Sequence, residues 1–181
     1  MPARPDLFES HIQWLIEPAP LDGVSIPSVR LSLETHFLTA TGRWLPQQCW
    51  LDTGAPLTVI PHYVYAGYRF RVNEIPLDVK SAAKLKWLKV PCKLGWIQVR
   101  LPIVGKPESL TRPFSILTKL PRRDPPWSAD PVPVIVGLQF LLACRAELAL
   151  GPPPESIHAE NLPWTQRWSG PAGVIRSPHE L

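Results

Sequence analysis

Residues 49 to 61 read Cys49-Trp50-Leu51-Asp52-Thr53-Gly54-Ala55-Pro56-Leu57-Thr58-Val59-Ile60-Pro61, and Asp-Thr-Gly occurs nowhere else in the chain. An apolar run delivers a carboxylate, a small hydroxyl residue and a glycine, and a second apolar run follows. That order places an acid at the tip of a turn between two buried strands. Glycine at 54 allows the backbone close enough to the acid for amide donors to hold it. Thr53 offers a hydroxyl able to bond across an interface and lock the turn. Leu51, Leu57, Val59 and Ile60 exclude water, which strengthens any coupling between charges at the tip.

Composition limits what can surround this turn. The chain has 181 residues, 45% hydrophobic and 19% charged, which is the balance of a globular protein rather than a disordered one. Its 24 prolines stand far above the usual share of about 5%. Proline removes a donor and clashes with the preceding helical turn, so short strands, turns and brief helices are favoured over long helices.

The formal charge is a modest +4. Lys80, Lys84, Lys86, Lys89 and Lys93, with Arg122 and Arg123, are irregularly spaced and interleaved with Leu85, Trp87 and Leu88. They read as a solvated loop or strand face, and no nucleic-acid partner is expected. Cys49, Cys92 and Cys144 are odd in number and far apart, against a disulfide framework or a zinc knuckle; buried free thiols are expected. The five histidines lack metal-ligand spacing, so neither metal nor cofactor is implied. The N-terminus shows no signal-peptide character. The longest apolar run, Val132 to Ala143, is broken by Gly137 and Gln139 and is too short to cross a bilayer. A soluble, cytoplasmic protein without a membrane partner is the expectation.

Along the chain, Leu7 to Glu17 fits a helix turn or a first strand. From Val24 the alternation of Val29, Leu31 and Leu33 with Arg30, Ser32 and Glu34 is that of a half-buried strand. Residues 39 to 42 supply a turn, and Arg43 to Leu51 returns, with Pro46 marking a bulge or an edge. A short helix fits the Tyr63 to Phe70 stretch, and Ser81 to Leu88 reads as a hairpin tip. Cys92 to Val104 is a strand pair or one long strand, with a turn near Gly95, and Phe114 to Leu117 another strand. The prolines of 121 to 133 demand an extended surface loop. Val134 to Val136 is a short buried strand, Gly137 to Arg145 a helix, and Ala146 to Leu150 a last short strand. The tail from 151 is either a loose wrap or partly disordered, with Trp164 and Trp168 as its anchors.

Leu51-Asp52-Thr53-Gly54-Ala55 followed by Thr58-Val59-Ile60 resembles the retropepsin-like aspartic proteases. Val134-Ile135-Val136-Gly137-Leu138-Gln139-Phe140-Leu141 is similar to that family's hydrophobic-hydrophobic-glycine segment leading into its helix. The resemblance covers about residues 24 to 150. It divides the chain into an N-terminal extension (1–23), a protease domain (24–150) and a Pro/Trp-rich tail (151–181). It implies an all-β fold, a closed antiparallel β-barrel with one short C-terminal helix, a flap hairpin over the cleft, and an active site shared by two subunits. Asp52 would then be the catalytic residue, with Thr53, Gly54 and Ala55 as the scaffold of its turn and Gly137 packed beside it. Two departures stand out: Pro56 just past the turn, and no glycine-rich flap tip between Val79 and Val90, where Ser81-Ala82-Ala83 is the nearest substitute.

The chemistry needs two carboxyls. Roughly 3 Å apart they cannot both ionise and so share a proton, one acting as base and the other as acid. Asp78, Asp124 and Asp130 lack the Thr/Ser-Gly that follows Asp52, so the second acid is expected from a second copy of the chain. A homodimeric endopeptidase acting on peptide or protein substrates follows. Three rivals remain at this level: a non-catalytic dimerisation or peptide-binding module of the same fold, a scaffold recruiting partners through 121–133 and 151–181, and Asp52 as a plain turn cap. Thr58 reads as a sheet residue. Aspartyl phosphotransfer is set aside, since no second acid or phosphate-gripping lysine adjoins the motif.

Overall fold

Alternating apolar residues between frequent prolines give many short strands and little room for helix. A computed structural model describes residues 8–21, 24–126, 132–151 and 168–177. The first half forms β1 (Glu9–Leu21), β2 (Val24–Leu38), β3 (Trp44–Leu51), β4 (Thr58–Val59), α1 (His62–Gly67), β5 (Val72–Ile75), α2 (Val79–Lys84) and β6 (Lys86–Trp87). The second half forms β7 (Val90–Arg100), β8 (Pro102–Ile103), β9 (Lys106–Leu110), β10 (Phe114–Pro121), β11 (Val134–Val136), α3 (Leu138–Cys144), β12 (Glu147–Leu150) and β13 (Trp168–Arg176). One large sheet runs β12-β13-β1-β2-β3-β11-β4-β10-β7-β5, with β6 on β7 and a small β8–β9 pair apart.

The chain is mostly β, but the expected closed antiparallel barrel needs correction. Strand β7 also pairs with β2, through His36↔Arg100 and Phe37↔Val99, which brings the path back on itself. Yet β1, β13 and β12 continue beyond β2, and β5 continues beyond β7, so the sheet is not a simple closed barrel. It is also mixed: β11 runs parallel to β3, and β10 parallel to β4. Alternation reveals which face of a strand is buried but not its direction. Here β3 and β11 both end on the same turn, and they lie side by side only by running parallel.

The one short C-terminal helix that the resemblance implies becomes three short helices among the described residues; α1 falls in the Tyr63 to Phe70 stretch read as helical, and α2 was not expected. Asp78 explains α2: its carboxylate accepts from the backbone N–H of Lys80 at 2.9 Å and of Ser81 at 3.0 Å, and from the Ser81 hydroxyl at 2.6 Å. A capped first turn makes Val79–Lys84 helical where a hairpin tip was expected. These bonds also hold the Asp78 carboxyl below its usual range, the Ser81 hydroxyl first. The hairpin tip lies instead at Leu88–Lys89, between the paired Trp87 and Val90, with φ of 46° and 64°. Both are left-handed, as a two-residue hairpin turn requires, though neither is glycine.

Several smaller expectations also shift. Strand β1 runs through Pro18 and Pro20, pairing with β2 up to Leu21↔Val24. Strand β13 inserts between β1 and β12, so parts of both terminal segments belong to the same sheet as residues 24 to 150. Gly95 marks no turn; it sits within β7, where an added Cβ would meet Val72 Cγ1 at 2.7 Å. Pro46 is opposite His36 without a register shift, in a part of β3 that β11 does not reach. A missing N–H is tolerated there. The turn at 39–42 forms as read: Gly42 takes φ 81°, and the Thr39 hydroxyl donates to the Arg43 carbonyl at 3.0 Å. Residues 127–131 of the proline-rich loop, Trp164 and the rest of 152–167 lie outside the described residues.

The core is centred on Phe37, Ile60, Leu101, Ile116 and Phe140, all fully buried. Phe37 stacks on Phe70 at 4.9 Å between centroids. Each such side chain contributes about 1.5–3 kcal/mol by leaving water. Cys49, Cys92 and Cys144 are free and buried in or beside this core. Burial pushes the Cys49 and Cys144 thiols up to about 12 and raises that of Cys92. Since the thiolate is the reactive form, native protein should leave all three unlabelled by a disulfide reagent at neutral pH. Denaturant should then release three equivalents; a fast native equivalent would contradict the packing.

Candidate active site

The site is built where β3 stops. Leu51 pairs with Val136 of β11, and the next amide, Asp52 N–H, still bonds the Val136 carbonyl at 2.9 Å. The chain then turns on its own side chain: Gly54 N–H donates to Asp52 Oδ1 at 2.9 Å, and Ala55 N–H to the Asp52 carbonyl at 3.1 Å. This leaves Asp52, Thr53 and Gly54 exposed above buried Leu51, with Ala55 half-buried. The carboxylate therefore has one oxygen anchored by a backbone donor and the turn open to solvent.

A second strand end supports the first. Strand β11 leads through Gly137 into α3, and the start of α3 donates back to the turn: Leu138 N–H to the Ala55 carbonyl at 2.8 Å, Gln139 N–H to the Pro56 carbonyl at 3.2 Å. Gly137 N–H reaches the hydroxyl oxygen of fully buried Thr58 at 3.4 Å. Gln139 Oε1 accepts from Leu117 N–H at 3.1 Å, tying α3 to β10. A Cβ at Gly137 would lie 2.5 Å from the Ala55 carbonyl oxygen and 2.7 Å from Leu57 backbone atoms. Only glycine lets the two strand ends touch.

Beside Asp52 opens a cavity of about 380 Å³. Trp14 of β1, Leu31 of β2, Trp50 of β3 and Ile135 of β11 line it, with the more exposed Val29 and Arg30 among its walls. Register brings these strands together: Trp14 pairs with Leu31, Leu31 with Leu51, and Trp50 with Ile135. The guanidinium of Arg30 sits 4.0 Å from the Trp50 ring centroid. Asp52 supplies the one carboxylate of this lining among the described residues.

All five residues singled out from the sequence, Asp52, Thr53, Gly54, Ala55 and Gly137, thus meet at one junction. The other acids weighed are used elsewhere: Asp78 caps α2, Asp124 accepts from Tyr63 N–H at 3.1 Å, and Asp130 lies outside the described residues. Sequence reading missed the Thr58 hydroxyl as the link to Gly137, and missed Trp14 and Arg30 altogether. Trp50, two residues before Asp52 in the motif, was the one available signal. Among the described residues no three His, Cys, Asp or Glu side chains gather as metal ligands, and no helix is long and apolar enough to cross a membrane.

No protein-family model and no curated protein sequence matches this chain. Among solved structures, the chain is similar to a retropepsin-like aspartic protease from Rickettsia conorii. The TM-score is 0.38 at 11% identity, with 96% of this chain and 99% of that one covered. A likeness of that size carries no argument about chemistry, which rests on the residues themselves.

Proposed function

We propose that this chain is an aspartic endopeptidase assembled as a homodimer, with Asp52 of each copy forming one catalytic dyad. The observation that carries this reading is the Asp52–Gly54 turn. Its acid is anchored by Gly54 N–H, exposed at the end of two parallel strands, and is the one carboxylate lining its cavity among the described residues. A lone exposed carboxylate has no means to activate water and polarise a carbonyl together; two sharing a proton do.

In the paired site, the charged Asp52 takes a proton from water as the water oxygen bonds to the peptide carbonyl carbon. The neutral Asp52 gives its proton to the carbonyl oxygen, producing a tetrahedral diol. As the diol collapses, one of its hydroxyls gives its proton to the charged Asp52, the C–N bond breaks, and the protonated Asp52 gives its proton to the leaving amine, so that the dyad again holds one proton. Thr53 of each copy would bond across the interface beneath the dyad. Leu138 and Leu142 support the pairing: they stand one turn apart on α3, 45% and 69% exposed, on the helix that caps the Asp52 turn. Peptides are the proposed substrates and the cytoplasm the proposed location.

A non-catalytic peptide-binding module of the same architecture is the second reading, favoured by a hairpin tip of Leu88 and Lys89 without glycine. Solution mass measured by light scattering, with and without a statine-type transition-state inhibitor, tests the first. The expected mass is that of two chains, with inhibitor increasing the paired fraction at low concentration. A strict monomer indifferent to the inhibitor would remove the dyad. A dimer that binds peptide without turnover from mildly acidic to neutral pH would favour the second reading.

A further inference from the structure

We infer that the cavity beside Asp52 selects peptides bearing a carboxylate next to a bulky apolar residue, and that Arg30 is the residue that reads the carboxylate. This rests on the proposed peptide-cleaving role of the same site. The cavity is amphipathic: Trp14, Leu31 and Ile135 offer apolar surface, while Arg30 supplies the cation of its lining. Arg30 is not a freely waving side chain. It stands diagonally across the β2–β3 ladder from Trp50, since Ser32 is the residue paired with Trp50, and its guanidinium lies 4.0 Å from that ring centroid.

Stacking of this kind engages the flat face of the guanidinium. The N–H donors lie in the plane, along its edge, and stay available for the two oxygens of a carboxylate. Fixing the plane against an aromatic ring lowers the entropy lost when a ligand binds. None of the ion pairs found among the described residues, His36–Glu34, His62–Asp124, Lys93–Glu74 and Arg176–Glu147, involves Arg30. Asp52 shares the cavity and repels a second carboxylate, which favours an acid held toward Arg30 while the apolar side chain fills the space beside Trp14 and Ile135. The carboxylate is either an Asp or Glu side chain or a free peptide C-terminus; both present the same pair of oxygens.

The probes are capped decapeptides with a central Leu-Phe pair, carrying Glu or Gln beside it, and a shorter pair ending at that point with a free or amidated C-terminus. Calorimetric binding is measured on the full chain carrying Asp52→Asn, which prevents turnover, and cleavage on the wild type. The expected result is binding about tenfold tighter for the carboxylate peptides, the scale of one charge-assisted contact. That gain should shrink at raised salt. Which pair shows it identifies the source as side chain or terminus. Adding Arg30→Gln should erase the gain, so that each carboxylate peptide binds no tighter than its Gln or amide counterpart on the same variant, and Arg30→Lys should restore only part of it.

Equal affinities within each pair would overturn the inference. So would a preference that survives Arg30→Gln, which would trace it to the lysines around Leu88, or failure of every peptide to bind. A preference lost with Arg30 in a protein that cleaves nothing leaves Arg30 as the reader and defeats the endopeptidase reading instead. Cleavage without any acidic preference does the reverse.

Discussion

Asp52→Asn is expected to abolish peptide cleavage while the protein folds and pairs as before. The amide oxygen of Asn keeps the acceptor that Gly54 N–H uses at 2.9 Å, so the turn retains its internal bond. What disappears is the shared proton, and with it the base and the acid. Losing one general acid–base catalyst costs about 10²–10⁴-fold in rate, and a symmetric pair loses both partners at once. The thermal midpoint should hardly move, because the side chain is exposed and packs on nothing in the core. Mixing adds a sharper test. When wild-type and Asp52→Asn chains exchange partners freely, only wild-type pairs keep a full dyad, so activity should follow the square of the wild-type fraction. A linear decline would mean that each chain works alone, and undiminished activity in the pure variant would end the proposal.

How far such a result was legible beforehand depends on the range of the interaction involved. The Asp52 turn was readable because its chemistry is local: the carboxylate, the glycine two residues on and the apolar flanks all fall within one short stretch. Val134 to Val136 and the helix after Gly137 were readable for the same reason, and the structure places them as β11 and α3. Strand direction was not readable. The parallel pairing of β11 with β3 depends on where the intervening chain returns, which no period of apolar residues encodes. Helix α2 was missed because its cap, Asp78, precedes a weakly apolar segment that reads as a hairpin tip. Strand β13 was missed because its neighbours β1 and β12 are separated from each other by most of the sequence. The cavity wall illustrates the same limit at the site: Trp14, Arg30 and Trp50 come from three strands and meet only through register.

Gly137→Ala should cause the larger structural loss and, unlike Asp52→Asn, should damage stability and activity together. The new methyl would sit 2.5 Å from the Ala55 carbonyl oxygen and 2.7 Å from the carbonyl carbon and oxygen of Leu57. These are backbone atoms, so no side chain can rotate away. The Ala55 carbonyl is also held by Leu138 N–H at 2.8 Å, and Gly137 N–H is directed at buried Thr58, so relief requires separating β11 and α3 from the turn. Backbone conformation is not the cause, because φ at Gly137 is −92° and any residue adopts it. Overpacking in a closed site costs about 1–3 kcal/mol and occasionally more; with backbone on every side, about 3 kcal/mol is the expectation. For a chain of this size that lowers the melting temperature by roughly 6–12 °C, and displacement of the Asp52 turn should cut cleavage in whatever remains folded. Gly67→Ala, where an added Cβ meets nothing within 4 Å, is the matched control and should stay within about 0.5 kcal/mol of the wild type. Equal melting temperatures for the two variants would mean that the contact between Gly137 and the Asp52 turn is looser than described. The turn would then owe its position to the backbone bonds from Asp52, Leu138 and Gln139 N–H.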